Sequence, residues 1–402
     1  MESRTSDHLG RYYTRDTVAS LLISSMELAT PGTVVDLGAG NGALVTEAAN
    51  QWAAERYLTV DIDEQADSGR LPILRGPSFV HFTGDALDLR LSDRIGLDWG
   101  QACAAVCNPP YIRPVWQEHF GNILEEVGLS HVLPEAKNAP AGILFVAQNL
   151  RLLKSGGKLG LILPDGLITG ERFESFRRAL IENNSLEQVI ELPRNIFHKT
   201  EAQTHIVVLS KNGRQKPTVI SRKLEPTGCL SEILNIPSDA AISRLDYSHH
   251  AQKTSKKTRK KTKRKLGDLI SSVNRGSHSS SSRKTVNLPI FHTTDLADYE
   301  SDIPSSFTVS QSDAEALGGR YARTGDILVA RVGRNLSRKI VLVKNGPVLI
   351  TDCFFVLAPS IASEDVLQLL ISNFGRAHLD NISQGVGARF ITAARLLDLE
   401  LD

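Results

Sequence analysis

The chain has 402 residues, 41% hydrophobic and 23% charged, with a formal net charge of +1. That length favours two domains, each large enough to bury a core without staples. With no run of eighteen apolar residues and no apolar signal segment after MESRTSDHLG, membrane-spanning and secretory classes drop out, leaving a cytoplasmic protein with no membrane partner as the expectation.

From the N-terminus, strand-like and helix-like stretches alternate, the signature of a parallel sheet covered by helices on both faces. TVVDL (33–37) is a β-branched run ending in glycines, and ALVTEAANQWAA (43–54) follows with helical spacing. RYLTVDID (56–63) reads as a second strand and AAVCN (104–108) as a third. ILFVAQNLRLLKSGG (143–157) predicts a helix stopped by Gly156 and Gly157, feeding the strand KLGLILP (158–164). RFESFRRALIENN (172–184) is an amphipathic helix, and SLEQVIELP with THIVVLSK predicts an antiparallel pair around a loop at 193–203. A doubly wound, Rossmann-like α/β domain is therefore expected over 1–212.

Pro217, Pro226 and Pro237 interrupt any long element beyond it, so 213–265 reads as an irregular connector. It ends in KTSKKTRKKTKRK (253–265), nine Lys or Arg in thirteen residues without an acid. Such runs are usually solvated linkers; the other reading has Lys256, Lys257, Arg259, Lys260 and Lys261 meeting an anionic partner. SSVNRGSHSSSSRK (271–284) predicts a mobile segment or a long loop. RTGDILVARVG (323–333), KIVLVKNGPVLIT (339–351) and CFFVLAPS (353–360) then read as short strands, joined by one helix, EDVLQLLISNFGRAHL (364–379). A smaller, β-rich α+β domain is expected over 266–402. Cys103, Cys107, Cys229 and Cys353 form no CxxC pair and are too few for a disulfide framework, so reduced thiols and no metal site are expected.

Chemistry concentrates at two places. VVDLGAGNG sets Gly38, Gly40 and Gly42 directly after a strand and at the mouth of a helix, where residues without Cβ let the backbone turn tightly and approach a ligand. Asp61 follows Gly38 by 23 residues, at the end of the next strand, where a carboxylate can bind both hydroxyls of a ribose. Dinucleotides and S-adenosylmethionine both satisfy that pair. The spacing GxGxG in place of GxGxxG leaves no third glycine in register for a pyrophosphate, which favours S-adenosylmethionine. Asp36 before the glycines, Ile62 after Asp61, and Asp85 in HFTGDALDL complete the candidate cofactor contacts, Asp85 reading equally well as a turn aspartate.

The second place is CNPPYIR (107–113). Pro109 and Pro110 fix two φ angles and remove two amide donors, so their carbonyls, with the side chain of Asn108, display acceptors and no acid. That suits a substrate carrying an NH₂ group, and Tyr111 offers a flat face to a planar ring. An amide or aromatic amine has its lone pair delocalised and is a poor nucleophile. Accepting its protons on Asn108 Oδ1 and the Pro109 carbonyl localises that pair for in-line attack on a sulfonium methyl, a catalysis of orientation and electrostatics. The plain alternative is a Pro-Pro turn with a surface tyrosine.

Taken in order, DLGAGNG, TVDID, GDAL, CNPPY and LLKSGGKLGLILP resemble the gamma-class DNA adenine-N6 methyltransferases, over about residues 8–212. The resemblance implies S-adenosylmethionine as cofactor and double-stranded DNA as substrate, with the target adenine flipped out of the duplex. It implies that Asn108 and Pro109 bind the adenine amino group, with Asn108 also facing the cofactor, and that Tyr111 stacks on the base. It further implies Phe197, in LPRNIFHKTEAQT, as a second aromatic against that base, and Tyr13 and Thr14, in GRYYTRDTVASLL, as cofactor contacts. Arg15 departs from the proline that commonly follows this threonine.

KLGDLISSVNRG, RTGDILVARVG, LITDCFFVLAP and QGVGARFIT resemble one target-recognition domain of type I restriction specificity subunits. The fusion implies a site-specific adenine methyltransferase that carries its own DNA reader, in a restriction-modification or phage-defence setting. A separate restriction endonuclease chain or a second copy of the protein would be its further partners. Two other readings stay open: a DNA-reading subunit whose core has lost activity, which Arg15 favours, and a protein or RNA amine methyltransferase, which the basic run and β-rich second half disfavour.

Overall fold

Short apolar runs bounded by glycine are too brief for helices, and in the first half of the chain they pair side by side instead. The structure, a computed structural model, describes Thr14 and residues 16–28, 30–64, 79–194, 196–197, 203–251, 264–300, 302–384 and 389–401. It divides into two units, Met1–Ser255 and Lys256–Asp402.

In the first unit α1 (Asp16–Ser25) precedes β1 (Thr33–Leu37), α2 (Ala43–Gln51), β2 (Arg56–Asp61), β3 (Phe79–Thr83), α3 (Leu91–Ile95) and β4 (Ala102–Cys107). These strands lie parallel in the order β3-β2-β1-β4. Alternation along each strand feeds two cores. Val34, Ala104 and Val106 pack with α1 and α2, while Val35, Ala105 and Cys107 join the larger cluster on the other face, with Phe120 of α4 (His119–Glu125) and Leu144 of α5 (Ala141–Leu152).

The chain continues through β5 (Leu153–Pro164), α6 (Asp165–Thr169), α7 (Glu174–Asn183), β6 (Asn184–Glu191) and β7 (Thr204–Lys211). The expected antiparallel pair forms, with β7 inserted between β5 and β6. The helix expected to reach Gly157 ends at Leu152. Its last predicted residues belong to β5, where Gly156 adopts a left-handed φ of +77° and a Cβ on Gly157 would lie 2.9 Å from the Lys154 carbonyl. The two glycines thus make an irregularity within the strand's pairing to β4, not a helix stop.

Residues 213–251 are not the irregular connector expected. β8 (Thr218–Lys223) runs parallel to β6, and β9 (Leu234–Pro237) antiparallel to β8, extending the sheet to nine strands; α8 (Ser238–Ser243) follows. Pro217 precedes β8 and Pro237 ends β9, positions where a missing amide costs the ladder little. Arg177 of α7, fully buried, donates to the carbonyls of Leu167 and Gly170 and to those of Ile242 and Ser243, at 2.6–3.1 Å. A boundary at residue 212 would sever the two bonds to Ile242 and Ser243, so the first unit extends to the edge of the basic run.

In the second unit β10 (Ile270–Arg275), β11 (Ile290–Phe291), β12 (Tyr321–Ala322), β13 (Ile327–Ala330), β14 (Val332–Gly333), β15 (Ile340–Leu342), β16 (Val348–Ile350), β17 (Phe354–Pro359) and β18 (Arg389–Phe390) form three small sheets. The largest has the antiparallel order β10-β17-β13-β15. The serine-rich stretch 271–284 carries β10 and a single 3-10 turn, so it is built into this unit. The single helix expected at 364–379 is two, Ser363–Ile371 and Asn373–Ile382. Ser372 separates them, its Oγ capping the second by accepting the Gly375 amide at 2.9 Å. No helix among the described residues is long and apolar enough to cross a membrane.

Candidate active site

At the carboxyl end of β1 the chain turns through Gly38, Gly40 and Gly42, whose φ angles of +73°, +53° and +73° fall in the left-handed region. The amides of Gly38 and Ala39 donate to the Val60 carbonyl at 2.8 and 3.1 Å. Asp61 holds the turn from the neighbouring strand: Oδ2 accepts the Gly40 amide at 2.7 Å and Oδ1 the Asp63 amide at 2.9 Å. A Cβ on Gly38 would come within 3.3 Å of the Phe145 ring.

The glycine turn borders a cavity of about 280 Å³ that also meets Thr14, Asp61, Ile62, Asp85, Asn108 and Pro110. Elements distant in sequence therefore converge on one cavity. Asp85 is both a wall of the cavity and a turn aspartate, Oδ1 accepting the Leu87 amide at 2.8 Å. Gln148, buried in α5, fixes that loop by donating to the carbonyls of Ala86 and Asp88 at 2.9 and 2.8 Å. Sequence reasoning missed Gln148, and it missed Leu44, Leu87, Phe120 and Phe145 of the cavity wall. The apolar four carry no signal that separates lining from core; a glutamine inside an apolar helix was the one available hint.

At the end of β4, Asn108 sits in a defined network. Nδ2 donates to Thr14 Oγ1 at 3.1 Å and Oδ1 accepts the Tyr111 hydroxyl at 3.0 Å. Pro109 is buried and Tyr111 half-buried. The thiol of Cys107 donates to the Leu37 carbonyl at 3.0 Å, tying the ends of β4 and β1 together.

Phe197 is not brought to this cavity. It is 2% exposed and packs with the apolar cluster that holds Ile190, Leu192 and Ile206. A phenyl ring beside three aliphatic side chains gains more from burial than from lining a polar opening. Tyr13, Arg15, Lys256, Lys257, Arg259, Lys260 and Lys261 lie outside the described residues.

Asp36, two residues before the loop, is 1% exposed, and neither carboxylate oxygen has a hydrogen-bond partner of ordinary geometry. Burial, then the nearby charge of Asp61, pushes its carboxyl from 3.8 up to about 8, against a small opposing pull from the Val45 amide. Because the folded pKa lies above the unfolded one, the folded chain keeps a proton that the unfolded chain has lost between about pH 4 and pH 8. Stability contributed by that proton is present at low pH and is lost as pH rises through 8. Asp36→Asn is accordingly expected to stabilise the ligand-free protein by a few kcal/mol at pH 9, an advantage that shrinks toward pH 4. Denaturant unfolding across that range checks it, and a pH-independent difference would remove the assignment.

The glycine cradle, the aspartates at the end of β2 and just past β3, and the buried, protonated carboxyl of Asp36 form a set that fits an adenosine-bearing cofactor. The N-6 DNA Methylase family matches residues 76–273. Over 115 residues the chain is 30% identical to the type I restriction enzyme MpnII methylase subunit of Mycoplasma pneumoniae, covering 28% of this chain and 21% of that one. Over 85 residues it is 33% identical to the type II methyltransferase M.PstI of Providencia stuartii, covering 21% and 15%. The chain thus spans about a fifth or less of the length of these curated relatives. Among solved structures, the type IIG restriction endonuclease BpuSI is similar with a TM-score of 0.51 at 14% identity, over 98% of this chain and 59% of that one. That likeness is one of fold: the first unit is a doubly wound, Rossmann-like α/β sheet, and a smaller β-rich unit follows it.

Proposed function

We propose that the protein is a site-specific DNA adenine-N6 methyltransferase that uses S-adenosylmethionine and belongs to a restriction-modification or phage-defence system. The observation that carries this is the linkage of Asn108 to Thr14 and Tyr111 on the wall of the glycine-loop cavity. The family match over 76–273 supports DNA as the substrate.

When bound, S-adenosylmethionine supplies an electrophilic methyl on a sulfonium centre. Gly38, Gly40, Asp61, Ile62, Asp85 and Thr14 would hold it, and Asp36, which keeps its proton up to about pH 8 in the ligand-free protein, would offset the positive charge on giving up that proton. Asn108 does the rest. Thr14 fixes the amide so that Oδ1, released by the Tyr111 hydroxyl, accepts a hydrogen bond from the target amine, and the Pro109 carbonyl accepts a second. The nitrogen lone pair then localises toward the methyl. Tyr111 covers the base, while Phe197 takes part only if its loop rearranges when DNA binds. Residues 266–402 read the target sequence, and Lys256, Lys257, Arg259, Lys260 and Lys261 meet phosphates. A separate endonuclease chain or a second copy completes the system.

Sequencing genomic DNA for N6-methyladenine in cells with and without the protein tests this. A new modified motif appearing with the intact protein and vanishing without it is expected. Unchanged DNA accompanied by methylated RNA or protein would replace the reading with its rival.

A further inference from the structure

At one end of the four-stranded sheet of the second unit, two guanidinium groups converge on a single backbone carbonyl. Arg275 closes β10, Arg331 follows β13, and both donate from Nε to the carbonyl of Asp352, at 3.3 and 2.8 Å. Arg275 also makes an ion pair with the Asp352 carboxylate. Two cations thus share one carbonyl while only Arg275 pairs with the carboxylate, and the repulsion registers: burial, then the charge of Arg275, holds Arg331 below the usual guanidinium range. Residues 266–402 contain slightly more Asp and Glu than Lys and Arg, so this pairing is not a by-product of a basic composition.

The same end carries the serine-rich stretch that its composition marks as a loop. Gly276 packs so closely on Thr351 that a Cβ would collide with the Thr351 carbonyl, which presses the start of the stretch against the Arg275–Asp352 pair. The Asp352 amide donates to the His278 carbonyl at 2.8 Å, and Ser277 Oγ accepts the Arg320 amide at 2.7 Å. Ser277, Ser279, Ser280 and Ser281 are exposed. A row of hydroxyl donors therefore borders two guanidinium forks that carry one uncompensated positive charge between them.

We propose that this end of the sheet, centred on Arg275, Arg331 and the serine loop, is where the second unit grips the phosphodiester backbone of duplex DNA. The assignment of DNA rests on the proposed function; the preference for phosphate rests on the surface itself. Guanidinium forks and hydroxyls match tetrahedral phosphate oxygens, and contacts to phosphate fix position without reading bases. The Asp352 carbonyl orients both forks, and its carboxylate is a placeholder on Arg275 that yields to a phosphate.

The test measures affinity of the full chain for specific and random duplexes over a salt series. Arg275→Gln, at an exposed position, should weaken both duplexes about equally and reduce the log–log salt slope by about 0.9, one phosphate contact. Site preference should survive, and Arg275→Lys should restore the slope. Asp352→Asn removes the carboxylate that pairs with Arg275 while leaving the backbone carbonyl in place, and should bind duplexes several-fold more tightly, with a steeper slope. A purely structural role for Asp352 predicts the reverse, so weaker binding by Asp352→Asn, or an unchanged slope in Arg275→Gln, overturns the proposal while methylation by the wild type stands. A wild type that binds no duplex at any salt instead takes the proposed function down with it.

Discussion

Asn108→Ala is expected to lower DNA methylation by about 10²-fold or more, the usual loss when one preorganised hydrogen-bonding group at a reacting centre is removed. Asn108 serves as a bridge: Nδ2 is committed to Thr14 and Oδ1 faces the Tyr111 hydroxyl, so truncation removes the acceptor and frees both neighbours. The side chain is only half-buried, so little core volume is lost and unfolding midpoints should barely move. Asn108→Asp sharpens the test. It keeps two acceptor oxygens but loses the amide donor to Thr14, so it should fold, bind DNA and still methylate poorly. Single-turnover rates at saturating DNA and cofactor are the measurement; a wild-type rate in Asn108→Ala removes Asn108 from catalysis.

Asp61→Ala should weaken S-adenosylmethionine binding by about 1–3 kcal/mol, roughly five- to 150-fold. Part of that is the lost ribose contact. The remainder is indirect, because Asp61 Oδ2 holds the Gly40 amide and its removal leaves that donor without a partner inside the glycine turn. Asp61→Asn retains one acceptor and should fall between the two. Titration calorimetry with S-adenosylmethionine checks the order wild type, Asn, Ala. Equal affinity for all three would place the ribose elsewhere, and tight NAD binding by the wild type would sink the cofactor assignment.

The glycine turn was legible because its signal is local. Glycines at 38, 40 and 42 are demanded by positive φ angles, and Asp61 stands where a strand-turn-helix unit puts its next strand end. CNPPY was legible for the same reason, since two consecutive prolines constrain the backbone whatever surrounds them. Gly156 and Gly157 misled for the converse reason. Glycine permits a helix to stop but also permits an irregular strand, and pairing to β4 chose the strand. Pro217 and Pro237 misled likewise: they exclude central strand positions yet are tolerated at strand ends, where β8 and β9 place them.

Sequence by itself determined the alternation of elements, the glycine turn, the acceptor-rich strand end after β4 and the change of texture beyond the basic run. Each of these is set within a few residues by steric limits on φ or by the period of apolar side chains. Only the tertiary structure decided what depends on partners far along the chain. It gave 213–251 to the first unit through β6 and Arg177, linked Asn108 to Thr14, and set Arg275 and Arg331 on one backbone carbonyl. It sent Phe197 into an apolar cluster, because burial rewards whichever neighbours the fold supplies and no local pattern names them.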